Sequence, residues 1–138
     1  ARKMCIRDRI YGIPYGYEFN AFIETIIGVS KGDTNLSEET KRRLKSIDKP
    51  VHIQVFVTLT CPYCPLVTSL AHKFAIENDL IRADMIESGE FPHLVQKYSV
   101  IGVPKVVINE QIEFLGVLPE ENFLQQVLLA QRPSNMYV

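Results

Sequence analysis

One apolar strand pattern that runs directly into a pair of cysteines constrains the fold of this chain more than any other feature. Residues 51–58 (VHIQVFVT) are apolar, rich in β-branched side chains and of strand length. Cys61 and Cys64 follow, and then comes a helical pattern whose apolar positions share one face: Leu66, Val67, Leu70, Ala71, Phe74 and Ala75. A Cys-x-x-Cys pair at a strand-to-helix junction is a strong indication of a redox-active dithiol.

The apolar pattern after this junction predicts a three-layer α/β fold with a mixed four-stranded sheet. With the first strand, the predicted order is β-α-β-α-β-β-α. The strand–helix–strand start gives a parallel pair of strands, and the two residues between the last two strands indicate an antiparallel hairpin. The later elements are a strand at 81–87, a short helix at 91–99, strands at 104–109 and 112–117, and a last helix that Pro119 opens.

A helical extension precedes this unit. Apolar side chains recur there at helical spacing and stop near Gly28: Phe19, Phe22, Ile23, Ile26 and Ile27. A second helix is expected after Ser37, whose hydroxyl can cap its first turn. Acidic residues at its start and basic residues toward its end match the helix dipole, and Pro50 closes the segment.

An internal repeat suggests an origin for the extension. Residues 12–14 (GIP) lead to Phe19, residues 116–119 (GVLP) lead to Phe123, and each glycine stands seven residues before its phenylalanine. We therefore expect residues 10–36 to be the last strand and helix of a preceding unit of the same fold, followed by a linker. Residues 37–138 would form the complete unit. Residues 1–9 have neither helix nor strand periodicity, and we predict that they are a non-native leader.

Charge and composition exclude several classes of function. The 15 basic and 16 acidic residues nearly cancel, which argues against a nucleic-acid binder or a polybasic membrane-surface protein. No apolar run approaches the roughly 18 residues that a membrane-spanning helix needs. The charged start is not a secretory signal, so the cytoplasm is the expected location. Three cysteines cannot build a disulfide framework, but two of them can form one redox pair.

The cysteine pair sits where a helix begins, and that position suits thiol chemistry. Two intervening residues let the sulfurs reach disulfide distance, and a helix N-terminus stabilises a thiolate. Pro62 and Pro65 carry no N–H, so the donors available to the Cys61 sulfur are mainly those of Tyr63 and Cys64. Cys61, nearer the helix start, is the predicted nucleophile, and Cys64 is the resolving thiol that attacks the mixed disulfide. No metal or cofactor is predicted.

A second motif, residues 102–105 (GVPK), opens a strand. Its Pro104 stands 40 residues after Cys64. Together with the CPYC motif of residues 61–64, this sequence resembles the glutaredoxin-like branch of the thioredoxin-fold superfamily. Residues 12–19 (GIPYGYEF) and 57–65 (VTLTCPYCP) are similar, more narrowly, to protein disulfide oxidoreductases of thermophiles, which hold two such units in tandem. The resemblance implies that Val103-Pro104 is a cis-proline site facing the disulfide. It also implies that Pro62, Tyr63, Val103 and Pro104 contact an extended substrate.

The chain departs from related patterns at three places. Thioredoxins carry an acid six positions before the first cysteine, whereas this sequence has Val55. The chain has no tryptophan, so the tryptophan that flanks a thioredoxin site is absent. Residues 116–120 (GVLPE) replace the Gly-Gly-x-Asp stretch that glutaredoxins use for glutathione. Protein disulfides and dithiols are therefore the expected substrates, and a thioredoxin-reductase-like protein is an expected electron donor.

Two other functions stay open at this stage. Two chains could share a zinc ion or an iron–sulfur cluster through their cysteine pairs, although nothing in the spacing of Cys5, His52, His72 and His93 predicts a complete site. A non-catalytic adaptor domain is the third interpretation. Finally, the apolar helix face within residues 17–28 is expected to be buried against another surface. We therefore expect a homodimer whose interface is formed by this segment.

Overall fold

The computed structural model describes residues 8–132, in which a five-stranded mixed sheet lies between layers of helices. The strands are β1 (Asp8–Tyr11), β2 (Val51–Val57), β3 (Ile81–Glu87), β4 (Lys105–Ile108) and β5 (Ile112–Leu115). The helices are α1 (Glu18–Lys31), α2 (Glu38–Lys45), α3 (Cys64–Glu77), α4 (Pro92–Lys97) and α5 (Glu120–Leu129). This arrangement confirms the predicted α/β class and the predicted element order from Val51 onward.

The sheet has one strand more than the sequence predicted. Its order is β1-β3-β2-β4-β5, and β1 pairs with β3 in parallel. The prediction of four strands was wrong because β1 (DRIY) is short and polar, and it lies at an edge where only one side is hydrogen-bonded. Asp8 and Arg9 belong to this strand although they fall within the predicted leader. Residues 1–7, which include Cys5, lie outside the described residues.

The central strands and α3 form the main hydrophobic core. Strands β2 and β3 are almost completely buried, as parallel strands covered on both faces should be. Phe74 of α3 packs edge-to-face against Phe123 of α5, with ring centroids 5.2 Å apart. Leu66, predicted to lie on the buried face of α3, is 58% exposed because it is in the first turn, at the end of the helix near the cysteines.

The two N-terminal helices begin near the predicted residues. The side chain of Ser37 caps α2 by accepting a 3.1 Å hydrogen bond from the Thr40 N–H. Helix α1 continues past Gly28 and ends at Gly32, whose φ of +68° is the left-handed conformation typical of a helix C-cap. Gly28 instead permits close packing, because a Cβ there would lie 3.2 Å from the Cδ1 of Ile76.

Helix α1 packs on α3 through a face that differs from the predicted apolar face. Its buried residues are Glu18 and Ala21. Several apolar side chains of the predicted face are exposed by 38% or more: Phe19, Ile23, Ile26 and Ile27. Small residues at helical spacing (Ala21, Thr25 and Gly28) lie on the same side of α1 as Glu18 and let the two helices approach closely. The apolar stripe is therefore an outer surface of the described chain.

Candidate functional site

Strand pairing brings the three segments of the site to one end of the sheet. Phe56 of β2 pairs with Lys105 of β4 in an antiparallel register. The residues that follow Val57 and those that precede Lys105 therefore meet at the same end of the sheet. The start of α1 reaches the same end, since the Tyr17 N–H donates a 3.3 Å hydrogen bond to the carbonyl of Leu59.

The turn before α1 docks tightly on the loop that leads to the cysteines. Gly16 has a φ of +64°, and a Cβ at this position would lie 2.8 Å from the Leu59 carbonyl oxygen. Glycine is therefore needed here for the conformation and for the close approach. The contact fixes the first residue of α1, Glu18, relative to residues 58–61.

Cys61 and Cys64 are free thiols with different environments. Cys61 lies in the turn before α3 and is half-buried, whereas Cys64 is the first residue of the helix and is fully buried. The Cys64 N–H donates a 3.2 Å hydrogen bond to the Cys61 sulfur. This bond confirms that one of the two predicted backbone donors reaches Cys61. Hydrogen bonds from a helix N-terminus favour the thiolate form of a cysteine.

The environment of Cys64 keeps its thiol protonated. Burial raises the pKa of the Cys64 thiol well above its usual range. The hydrogen bond with Cys61 and electrostatic interactions with Cys61 and Glu18 raise the pKa of Cys64 further, and a backbone hydrogen bond from Thr58 opposes the rise only in part. A thiol with this pKa reacts as a nucleophile only when a nearby group accepts its proton.

Glu18 is a candidate functional residue that the sequence analysis did not identify. It is 1% exposed, and neither carboxylate oxygen has a well-formed hydrogen bond within residues 8–132. Burial raises the pKa of Glu18 to about 7, and the hydroxyl of Thr68, one turn after Cys64, lowers it only in part. A buried carboxyl group without a cationic partner is costly, and a carboxyl pKa near neutrality is typical of a proton-transfer group.

The location of Glu18 explains why no sequence pattern revealed it. The thioredoxin position for a buried acid holds Val55, which is 1% exposed here, and the acid comes instead from a helix 43 residues before Cys61. The available signal was the stripe of small residues that follows Glu18 on α1. That stripe indicated a closely packed face and therefore a buried first residue.

The remaining predicted site residues lie at the same end of the sheet as the cysteines. The Val103–Pro104 peptide bond is cis, Val103 is half-buried and Pro104 is buried. The Gly116 N–H donates a 2.9 Å hydrogen bond to the Pro104 carbonyl and ties this segment to the end of β5. Pro62 and Tyr63 are exposed beside Cys61.

Residues 8–132 give no support to the metal-binding interpretation. Among residues 8–132, no three or more His, Cys, Asp and Glu side chains are grouped so that they could hold a metal ion. His52 contacts Asp84 at 2.6 Å and His72 contacts Asp8 at 2.9 Å, so both rings are engaged away from the cysteine pair. Between residues 8 and 132, no helix combines the length and apolar character that a membrane crossing requires.

A sheet of this order, with a Cys-x-x-Cys turn before a helix and a cis-proline at the same end of the sheet, defines the class of thioredoxin-fold proteins. The model of the thioredoxin domain family matches residues 51–129, and the chain belongs to this family. A protein disulfide oxidoreductase from Aeropyrum pernix superposes with a TM-score of 0.83 and 40% identity, covering 88% of this chain and 54% of that chain.

Two further relatives are F components of alkyl hydroperoxide reductases. The Enterococcus faecalis structure superposes with a TM-score of 0.80 and 25% identity, over 86% of this chain and 56% of that one. The Staphylococcus epidermidis sequence is 30% identical over 100 residues, which are 72% of this chain and 19% of the relative. The chain thus spans about a fifth of the curated relatives' length and about half of these solved structures.

Proposed function

We propose that this chain is a thiol–disulfide oxidoreductase that acts on protein disulfides and dithiols through Cys61 and Cys64. The observation that carries the proposal is the contrast between the two thiols. Cys61 is accessible and accepts a backbone hydrogen bond, whereas Cys64 is buried, protonated and under the electrostatic influence of Glu18, a carboxyl group with a pKa of about 7. The family match and the similarity to the Aeropyrum pernix protein disulfide oxidoreductase support it.

In the first step of reduction, the Cys61 thiolate attacks one sulfur of a substrate disulfide. A mixed disulfide forms between Cys61 and the substrate, and the other substrate sulfur leaves as a thiolate that takes up a proton. The half-exposed position of Cys61 in the turn before α3 allows this approach. The Cys64 N–H, 3.2 Å from the Cys61 sulfur, stabilises the attacking thiolate.

In the second step, Cys64 resolves the mixed disulfide. The Glu18 carboxylate accepts the proton of the Cys64 thiol, and the resulting thiolate attacks the Cys61 sulfur. The Cys61–Cys64 disulfide forms, and the second substrate sulfur leaves and is protonated, so two electrons pass to the substrate. Burial makes an unassisted Cys64 thiolate costly, and a base with a pKa near the working pH is the most effective acceptor.

The substrate surface follows from the residues around Cys61. We infer that Pro62, Tyr63, Val103 and Pro104 contact an extended polypeptide, with backbone hydrogen bonds at Val103 as the resemblance implies. Tyr63 and Leu66 are 62% and 58% exposed and offer apolar area to such a segment. Because residues 116–120 lack the Gly-Gly-x-Asp stretch, protein disulfides are preferred to glutathione.

Electrons would reach the dithiol from a reductase of the thioredoxin-reductase type. Support comes from the relatives that are named as alkyl hydroperoxide reductase components and as NADH dehydrogenase. Whether the chain reduces or forms disulfides depends on the reduction potential of the Cys61–Cys64 pair relative to the redox potential of its compartment. The cytoplasmic location stays a prediction.

Dithiothreitol-driven reduction of insulin tests the proposed function. We expect the wild type to accelerate reduction, and we expect a Cys61→Ser, Cys64→Ser double variant to match dithiothreitol alone. Zinc and iron are measured on the same wild-type sample. A wild type that leaves the dithiothreitol rate unchanged but carries stoichiometric metal would favour the metal-binding function. An inactive, metal-free wild type would favour an adaptor domain.

The homodimer through residues 17–28 stays a prediction, as does the origin of residues 10–36 in a preceding unit. The exposed apolar stripe of α1 motivates the dimer. We expect light scattering to show a dimer for the wild type and a monomer for an Ile23→Glu, Ile27→Glu variant. A Glu24→Gln variant, altered at a polar position of the same helix, should remain dimeric. A wild type that is monomeric at all concentrations would contradict the prediction.

A further inference from the structure

The loop between α4 and β4 lies at the same end of the sheet as the cysteines, and its most exposed residues have no side-chain anchor of their own. It runs from Tyr98 to Pro104 and carries Val103, which we assign to substrate contact. Ile101 within it is 91% exposed, and Gly102 has no side chain. Backbone hydrogen bonds hold its first residues, such as the 2.9 Å bond from the Val100 N–H to the Val95 carbonyl. Val100 and Val103 pack against buried hydrophobic residues, so the exposed residues between them depend on how the two ends of the loop are anchored.

Lys105, the residue after Pro104, crosses this loop with a buried ammonium group. Its side chain is only 8% exposed. The Nζ atom donates a 2.5 Å hydrogen bond to the Tyr98 carbonyl and lies 3.5 Å from the Ser99 carbonyl. Its third partner is the Glu113 carboxylate on β5, at 3.3 Å. Because Lys105 itself ends the loop, these contacts join the two ends of the loop directly.

The chemistry of these contacts makes them structurally strong. Lysine is rarely buried unless its charge is compensated. The carbonyls that compensate it here belong to the C-terminal end of α4, where the helix dipole favours a cation. Charge-assisted hydrogen bonds in a buried position are stronger than neutral ones. A loop closed in this way samples fewer conformations than a loop anchored only at its exposed residues.

The register of the sheet connects Lys105 to the dithiol. Lys105 pairs with Phe56 on β2, the strand that leads to Cys61. The Phe56 ring also packs on Tyr98, with centroids 5.5 Å apart. The contacts of Lys105 thus fix the loop relative to the same strand that positions the cysteines.

We propose that Lys105 is a positioning residue that holds residues 99–103 against the dithiol site, so that the loop backbone is preorganised to bind an extended protein substrate. The inference rests on the proposed function. Lys105 does not touch the reacting sulfur atoms, and it acts through the carbonyls of Tyr98 and Ser99. Its loss should therefore weaken substrate binding and leave the intrinsic reactivity of Cys61 unchanged.

The test compares Lys105→Met with the wild type in steady-state reduction of insulin. Methionine keeps the length and apolar stem but removes the charge and the donors. We expect KM for insulin to rise about tenfold, the equivalent of losing one charge-assisted hydrogen bond, with kcat changed less than about twofold. The rate at which iodoacetamide alkylates Cys61, measured across pH, should match the wild type.

Three further variants sharpen the comparison. Lys105→Arg keeps the charge and the donors and should recover most of the affinity. Lys105→Gln keeps a neutral amide donor but loses the charge, and it should also raise KM for insulin. It replaces Lys105→Met as the test variant if the methionine variant does not fold. Lys97→Met removes an exposed lysine from the same helix end, where its ammonium lies 5.1 Å from the Tyr98 ring centroid, and should behave as wild type.

The outcomes separate this inference from the proposed function. A wild type without disulfide-reductase activity would overturn the proposed function and this inference with it. An active wild type whose KM for insulin is unchanged in both Lys105→Met and Lys105→Gln would overturn the positioning role alone. The positioning role would also be overturned if, in Lys105→Met, kcat and the alkylation rate of Cys61 fell as much as the affinity for insulin.

Discussion

Replacing Cys61 by serine is expected to lower insulin reduction roughly a thousandfold or more, to the rate of dithiothreitol alone, because a serine oxygen cannot form the mixed disulfide. Cys61 is the accessible thiol of the pair and receives the backbone hydrogen bond. Buried and protonated, Cys64 cannot take over its role. The measurement is the turbidity assay with equal concentrations of folded protein.

The Cys64→Ser variant should behave differently. It keeps the nucleophile but loses the intramolecular thiol that releases the substrate, so the mixed disulfide should accumulate and turnover should fall roughly tenfold or more. Cys5→Ser is the matched control and should retain full activity. Equal loss of activity in the Cys61→Ser and Cys64→Ser variants, without accumulation of a mixed disulfide in the latter, would contradict the assigned roles.

Replacing Glu18 by glutamine is expected to slow the resolving step roughly a hundredfold at pH 8, which is the usual contribution of a general base. Glutamine keeps the shape of the side chain but cannot accept the proton of Cys64. In the wild type, the rate of resolution should rise with pH through about 7, the pKa of Glu18. In the variant, this inflection should disappear.

Single-turnover release of a thiol from a preformed Cys61 mixed disulfide measures this step between pH 5 and pH 9. Glu24→Gln alters an exposed carboxylate of the same helix, which accepts a 3.1 Å hydrogen bond from the Ser69 hydroxyl, and this control should keep the wild-type profile. If Glu18→Gln resolved the mixed disulfide at the wild-type rate with the same inflection, another group would have to accept the proton.

The same variant should change stability in a pH-dependent way. Burial raises the pKa of Glu18 from 4.5 to about 7, so the folded state binds the proton more tightly than the unfolded state, and the wild type loses stability as pH rises from about 4.5 through about 7. The shift corresponds to about 3 kcal/mol. We expect Glu18→Gln to be more stable than the wild type by about 2 kcal/mol at pH 8, since solvent relaxation reduces the penalty. At pH 4 the variant should be no more stable than the wild type. Urea unfolding at both pH values measures the difference in the free energy of unfolding.

Local patterns were sufficient for the part of the fold that holds the cysteines. The run of β-branched residues in β2 and the helical spacing in α3 depend on near neighbours in the sequence, so their elements and order were predictable. The repeat indicated a strand near residue 10, but its place in this sheet was not predictable, because a four-residue edge strand gains its stability from pairing with β3. The predicted burial of Leu66 was wrong for a related reason. Helical periodicity shows which face of a helix is apolar, but it does not show which turn of the helix lies outside the core.

The candidate site was predictable only where its residues form a motif. Cys61, Cys64 and Pro104 stand in short patterns with known chemistry. Glu18 and Lys105 act through contacts that cross the chain, and neither the stripe of small residues after Glu18 nor the motif that contains Lys105 assigns a role to the charged side chain itself. What distinguishes them is burial, which depends on the packing of α1 on α3 and on the closure of the loop before β4.

The central claim is that Cys61 attacks and Cys64 resolves, and it can be tested by locating the trapped substrate. The Cys64→Ser variant is reacted with insulin, free thiols are blocked with N-ethylmaleimide, and the digest is analysed by mass spectrometry. The account predicts an insulin peptide joined to Cys61, with Cys5 carrying the blocking group. Insulin peptides on Cys5, or a fully blocked Cys61 without any adduct, would contradict it.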